Sequence, residues 1–417
     1  MPAPLPDTPG TAPPFRPGWS ARFAAMSRSR AIYGLVSLLL LAPCHWQPRL
    51  HAGDLSSHID NSWLARLIES GRAQGLEAVR QTTNFLFDLI LGGLFKVVGA
   101  EAAQRIAVSL AVLTFAWGAF AFISTVSGRR AWHLMPVIGM LAYGWVFQMG
   151  FFDFYLSLGL CFWALALGWE SKPWRLAAAG PILALAYLAH ALPVVWAAGL
   201  LAYLWLAGRT AARTRAWMMA VSLLAMVLLR AWTGGTRIAE WSLQRIFMTS
   251  AADPSWTFDA KYYVLLVGLL LVWGALFLDL MHQWGTLRLA SSIPFQVCVV
   301  GAAGVFLLPA TVLIPGFQHA LVLIAERMAL GVSVCVCALV GAARPRILER
   351  YALVVVALIF FGFLYRDERA MNALEDRMQG AVAQSVPGHG VVIRGVKAGM
   401  PCGSTNWKAL EDRRPRT

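Results

Sequence analysis

An acid and an imidazole stand four residues apart at Asp54 and His58, in the stretch His51–Gly71, HAGDLSSHIDNSWLARLIESG. On a helix that spacing puts both side chains on one face, next to Asn61. A carboxylate and an imidazole so placed can exchange protons with a bound hydroxyl. Leu55, Ile59, Trp63 and Leu67 recur at every fourth position and give the same helix a separate apolar stripe. Gly71 closes the run in the manner of a C-terminal glycine. The stretch predicts an amphipathic helix lying on a membrane surface, with Asp54 and His58 as its working groups. Asp54 has a second reading, because an Asp just ahead of an apolar-periodic run is also a good helix N-cap.

The elements that position this helix must be membrane helices. Of 417 residues, 58% are hydrophobic and 13% charged, and the mean hydropathy is +0.61. Soluble proteins carry about a quarter charged residues. Apolar runs fall at Ala31–Trp46, Arg105–Val126, Trp132–Gln148, Phe154–Trp169, Leu176–Ala189 and Leu192–Leu206. Others follow at Trp217–Trp232, Tyr262–Met281, Leu289–Leu308, His319–Ala342 and Tyr351–Tyr365. Together they predict an all-α polytopic bundle of about eleven spans. Phe85–Val98 is apolar but too short to cross a core of about 30 Å, and it holds Asp88 and Lys96, so it reads as a second interfacial or re-entrant helix.

The formal net charge of +14 belongs to the loops. GRR at 128–130, ESKPWR at 170–175, GRTAARTR at 208–215, HQWGTLR at 282–288 and ARPRILER at 343–350 alternate with turns free of Lys and Arg. That is the positive-inside pattern and not a nucleic-acid surface. Arginines 16, 22, 28 and 30 put the N-terminus on the same inner side. An odd number of spans then leaves the C-terminus outside, together with loops 47–104, 233–261 and 309–318. The six cysteines, at 44, 161, 298, 335, 337 and 402, have no metal-ligand spacing. Walker A, dinucleotide and C-x-x-C patterns are missing, which removes the usual support for an energised pump or a redox enzyme. In the tail, Asp367–Ser385 reads as a charged helix and VPGHGVVIRGV as a turn with a short strand.

The order of these features resembles a known family. A cytoplasmic N-terminus and one helix lead into an outer loop that opens on an Asp. The loop continues as a surface helix, then as a short apolar helix ending in LFKVVG, and AEAAQRIAVSLAVLTFAWGAF enters the next membrane helix. This resembles the C-type (GT-C) glycosyltransferase superfamily, in particular its lipid A and lipopolysaccharide sugar transferases and protein O-mannosyltransferases. RIAVSL at Arg105–Leu110 is similar to the Arg-x-x-x-Ser-Leu run of that branch. Residues 1–30, rich in Pro, Ser and Arg, read as a disordered cytoplasmic segment. The resemblance covers a GT-C-like membrane module 31–210, followed by a variable transmembrane half 211–365 and an extracytoplasmic tail 366–417. One departure stands out: where the family often has a second acid directly after the Asp, this chain has Leu55, and Asp60 projects from another face.

The resemblance implies transfer of a sugar from a polyprenyl-phosphate carrier to a lipid, glycan or protein acceptor, outside a bacterial inner membrane. It implies no prosthetic group and leaves a divalent metal open. Asp54 becomes the base for the acceptor hydroxyl, with His58 beside it, a role worth roughly 10²- to 10⁴-fold. Asp153, in MGFFDFYLSLGL, becomes a co-catalytic or metal-binding acid, although a helix cap explains it equally well. The phosphate leaves as an anion and calls for cations and donors. Arg105, Arg237, Arg245, His319 and Arg327 are the candidates, together with His190, which alternatively hydrogen-bonds the broken helix backbone before Pro193. Glu326 beside Arg327 allows a structural ion pair instead. Two further readings compete: a transporter or lipid flippase, for which Arg327 and Asp279 speak, and an inactive GT-C-like scaffold, which the absent second acid keeps in play.

Overall fold

The computed structural model describes residues 19–73, 75–76, 81–234, 239–240, 250–313 and 321–383. The tail strand expected in VPGHGVVIRGV, and Arg237, Arg245 and His319, lie outside them. The chain divides into two compact units, Met1–Ala42 and Pro43–Thr417. Helix α1 (Trp19–His45) accounts for the described part of the first.

The second unit is helical almost throughout. α2 (Leu55–Glu69) and α3 (Leu86–Val98) precede the long α4 (Ala100–Ser127). Short α5 (Met135–Ala142) and α6 (Trp145–Gln148) lead to α7 (Phe152–Gly168), α8 (Pro173–Ala189), α9 (Ala191–Ala207) and α10 (Ala212–Gly234). Then come α11 (Tyr263–Trp284), α12 (Thr286–Ala290), α13 (Ile293–Leu307), α14 (Ile324–Val340) and α15 (Ile347–Ala383). Three two-residue strands, β1 (Ala239–Glu240), β2 (Thr311–Val312) and β3 (Leu321–Val322), form a small antiparallel sheet in the order β1-β2-β3.

Among the described residues, four helical stretches are long and apolar enough to cross a membrane: Ala100–Ser127, Ala212–Gly234, Ala260–Trp284 and Ile347–Gly380. Four shorter apolar helices of 10–17 residues accompany them. α10 buries none of its residues, and Trp217, Val221, Leu224, Leu228 and Trp232 all stand exposed along it. The helix packs along one side on α13, and the apolar surface it leaves uncovered suits lipid.

Two expected spans take another form. Trp132–Gln148 is broken into a 3-10 turn, α5 and α6, where the turn Asp253–Ser255 packs against both pieces. The apolar run Tyr351–Tyr365 and the charged run after it form one helix, α15, 37 residues long.

α4 and α7 run parallel and make the most extensive helix pair. Phe115 stacks on Tyr155 and Phe122 on Phe162, with ring centroids 4.6 and 5.8 Å apart. A Cβ at Gly159 would come 2.7 Å from the Phe115 Cα, so the contact needs a residue without one there. At the far end of α4, Arg129 donates to the Gly341 carbonyl at 3.0 Å and to Ala343, just after α14, and Arg346, ahead of α15, lies 2.9 Å from Asp279 of α11.

A clasp joins the segment after α1 to the last helix. The Trp46 indole donates to Glu368, and Arg49 and Asn372 exchange backbone-to-side-chain bonds of 3.0 and 3.2 Å. Arg49 also meets Glu375 at 2.8 Å, and the Tyr262 hydroxyl donates to Asp367 at 2.7 Å.

Candidate functional site

The site is assembled by four consecutive residues at the start of α7. Phe151 lies under the Arg327 guanidinium, 3.8 Å from its centroid. Phe152 stacks on Phe87 at 4.8 Å, and His58 sits edge-on to both rings. Asp153 points at α3 and His58, and Phe154 meets the His190 ring edge-on at 5.5 Å.

The loop ahead of α2 hooks onto the same place. The Gly53 N–H donates to the Gln148 carbonyl at 2.8 Å and the Asp54 N–H to the Met149 carbonyl at 2.9 Å. Gly150 makes this approach feasible: its φ is +78°, and a Cβ there would lie 2.4 Å from the Asp54 nitrogen. Asp54 occupies the N-cap position of α2 but makes no side-chain cap bond. Its carboxylate is exposed, within electrostatic reach of Arg327 and His58. On α2 the buried side runs through Leu55 and Ser62 with His58 half-buried, whereas Trp63, expected in the apolar stripe, is 56% exposed.

His58 Nδ1 is 2.6 Å from Asp88 Oδ1 and 4.0 Å from Asp153 Oδ2. Burial works to lower the His58 imidazole, but the Asp88 hydrogen bond and the charges of Asp88, Asp153 and Asp54 hold it above its ordinary value. Asp153 does not cap α7. Its Oδ1 accepts the Phe87 N–H at 2.8 Å, so it satisfies a free donor in the first turn of α3 instead. α3 is further fixed by the Phe85 N–H, which donates to the Leu188 carbonyl at 3.2 Å. Among the described residues, His58, Asp88 and Asp153 are the group whose ligand atoms converge as a metal site would require.

His190 stands at the turn between α8 and α9. Its Nδ1 accepts the Leu192 N–H at 3.2 Å and its carbonyl accepts the Ser157 hydroxyl at 2.8 Å, so it binds the broken helix backbone. Burial first, and the charge of Arg327 second, push its imidazole down to about 4. An unfolded chain takes up this proton near pH 6.5, whereas the folded one resists until about pH 4. Stability is therefore complete above pH 6.5, falls as the pH drops toward 4, and levels off below. His190→Asn keeps a capping oxygen and is expected to flatten that fall in Tm measured against pH; parallel curves for the two proteins would remove the assignment.

Arg105 donates to the carbonyls of Cys44, Gln47 and Pro48, which fixes the exit from α1. It also lines a cavity of about 450 Å³ with Arg49, His51, Ser56, Gln104 and Glu375. A second hollow of about 590 Å³ lies between α2 and α3, bounded by Leu64, Ile68, Phe85 and Leu89, with Asp88 and Lys96 on its wall. Asp88 belongs to the cluster and was not singled out as functional from the sequence. The signal was there, an acid inside an apolar interfacial helix. The five described cysteines are free and buried.

Comparison with known proteins finds no match: no family model, no curated protein and no solved structure is similar to this chain.

Proposed function

We propose that this protein is a multi-pass membrane glycosyltransferase that moves a sugar from a polyprenyl-phosphate carrier to an acceptor on the extracytoplasmic face of a bacterial inner membrane. The observation that carries the reading is the juxtaposition of Asp54 and Arg327 at the start of α7. A carboxylate not used as a cap faces a largely buried arginine whose Nε has no hydrogen-bond partner. A buried cation with an unused donor favours an anion.

On this reading Asp54 takes the proton of the acceptor hydroxyl as that oxygen bonds to the anomeric carbon. The bond from that carbon to the phosphate oxygen breaks, and the phosphate leaves with its electron pair toward Arg327. His190, neutral and bound to the backbone, holds the turn between α8 and α9 within electrostatic reach of the arginine. In the hollow between α2 and α3, the side formed by Leu64, Ile68, Phe85 and Leu89 suits the first units of the lipid chain, and Lys96 and Arg66 on its rim suit the phosphate end. The basic loops support the orientation, since Arg129, Arg344, Arg346 and Arg350 gather at the opposite helix ends from Asp54.

The test is transfer of a labelled sugar from polyprenyl phosphate to envelope-lipid or peptide acceptors by the full-length protein in vesicles. Arg327→Lys keeps the charge but loses the planar contact with Phe151, and an approximately tenfold slower transfer is expected. Wild-type rates in both Arg327→Lys and Arg327→Gln would take the phosphate away from this residue. Passage of the intact lipid-linked sugar across the vesicle, without transfer, would mark a flippase instead.

A further inference from the structure

We infer that His58, Asp88 and Asp153 form a binding site for one divalent transition ion, zinc or manganese. The three residues come from α2, α3 and α7, and one ligand atom from each lies within 4.8 Å of the other two. The second, independent observation is at Asp153. The residue is 2% exposed, its Oδ1 is held by the Phe87 N–H, and its Oδ2 is buried with no hydrogen-bond partner, aimed toward the His58 ring. A carboxylate oxygen left in that state is costly, and a cation between it and the other two ligands removes the cost.

The donor set selects the ion. Two carboxylates and a neutral imidazole balance a charge of two, and the absence of sulfur at the cluster disfavours soft monovalent copper. One nitrogen with two oxygens suits zinc and manganese better than magnesium or calcium, which take oxygen alone. Tetrahedral ligands at roughly 2.1 Å lie about 3.4 Å from one another. The observed 2.6 and 4.0 Å from His58 bracket that separation, so those two pairs adjust by less than about 1 Å, and the two carboxylates lie within 4.8 Å of one another. The surroundings are those of a supported site: Phe87 and Phe152 fix the imidazole plane, and the N–H bond to Asp153 Oδ1 sets the carboxylate's direction.

Three protein ligands leave at least one coordination position open. An oxygen of the donor phosphate would fill it, which makes the ion a Lewis acid for the leaving group. This use rests on the transferase reading; the binding itself does not.

The experiment uses the full-length protein in detergent, stripped with a chelator and re-equilibrated with Mn²⁺ alone, then with Zn²⁺ as competitor. One equivalent of Mn²⁺ is expected, with an electron-spin-echo signal from a single imidazole nitrogen, and Zn²⁺ is expected to displace it. Asp153→Asn and His58→Gln are expected to weaken binding at least tenfold, and His58→Gln to abolish the nitrogen signal. Asp60→Asn, exposed on the same helix, is expected to bind as wild type. Wild-type protein that binds no ion, or binds it without a nitrogen signal, overturns the site without recourse to any variant. Unaltered affinity in Asp153→Asn does the same. Bound ion without sugar transfer leaves the site standing and removes the transferase reading. Undiminished transfer by ion-free protein removes the Lewis-acid role and leaves both the transferase reading and the binding to stand on their own measurements.

Discussion

Asp54→Asn is expected to slow sugar transfer by about 10²- to 10⁴-fold, roughly 3–5 kcal/mol of barrier, with the protein still folded. Asparagine has the shape of the acid but cannot accept the proton of an acceptor hydroxyl. The side chain makes no cap bond and stands exposed, so the exchange removes no structural interaction of α2. Removing the negative charge next to Arg327 also leaves that guanidinium freer for phosphate. The KM for the lipid-linked donor is therefore expected to stay level or fall while kcat collapses. Single-turnover transfer in vesicles, with donor binding measured in parallel, separates the two. A variant that retains the wild-type kcat would move the base elsewhere.

The second large effect is expected at Gly150. Gly150→Ala meets two penalties at once. The left-handed backbone costs an ordinary residue about 1–2 kcal/mol, and the new Cβ would press on the backbone nitrogens of Asp54 and Leu55, 2.4 and 2.9 Å away. Overpacking of this kind costs about 1–3 kcal/mol more, and here it pushes on the loop that holds Asp54. Gly71→Ala serves as the control, since Gly71 has φ +71° but nothing within 4 Å of the added atom. The expected result is a clearly larger fall in Tm for Gly150→Ala than for Gly71→Ala, with a tenfold or greater loss of transfer only in the former. Equal falls in Tm would mean that the loop gives way freely and does not position the acid.

Local features of this arrangement were legible in the sequence. The amphipathic stretch ending at Gly71 forms α2 from Leu55 to Glu69, and Phe85–Val98 forms α3 from Leu86 to Val98, because periodicity and length are properties of contiguous residues. The all-helical character followed in the same way from hydropathy. The cluster did not. His58, Asp88 and Asp153 are separated by 30 and then 65 residues, and only the docking of α2 and α3 on the start of α7 brings them together. The break in Trp132–Gln148 also has a tertiary cause, the turn Asp253–Ser255 packing against it from far along the chain. Strands of two residues, such as Thr311–Val312, carry no periodic signal at all; their existence depends on the partners they find.

The clasp between Trp46–Arg49 and Glu368–Asp376 has a consequence for biosynthesis. Its partners are more than 320 residues apart. A ribosome adding about 5–20 residues each second leaves the earlier strand of the clasp waiting for tens of seconds before its counterpart exists. Throughout that interval the segment leading into the Asp54 loop lacks its lock, and a chain interrupted before the final helix never acquires one. Emergence of α15 is thus the event that closes the entrance to the loop, so chains cut short ahead of it would be inserted in the bilayer yet left with their first loop loose.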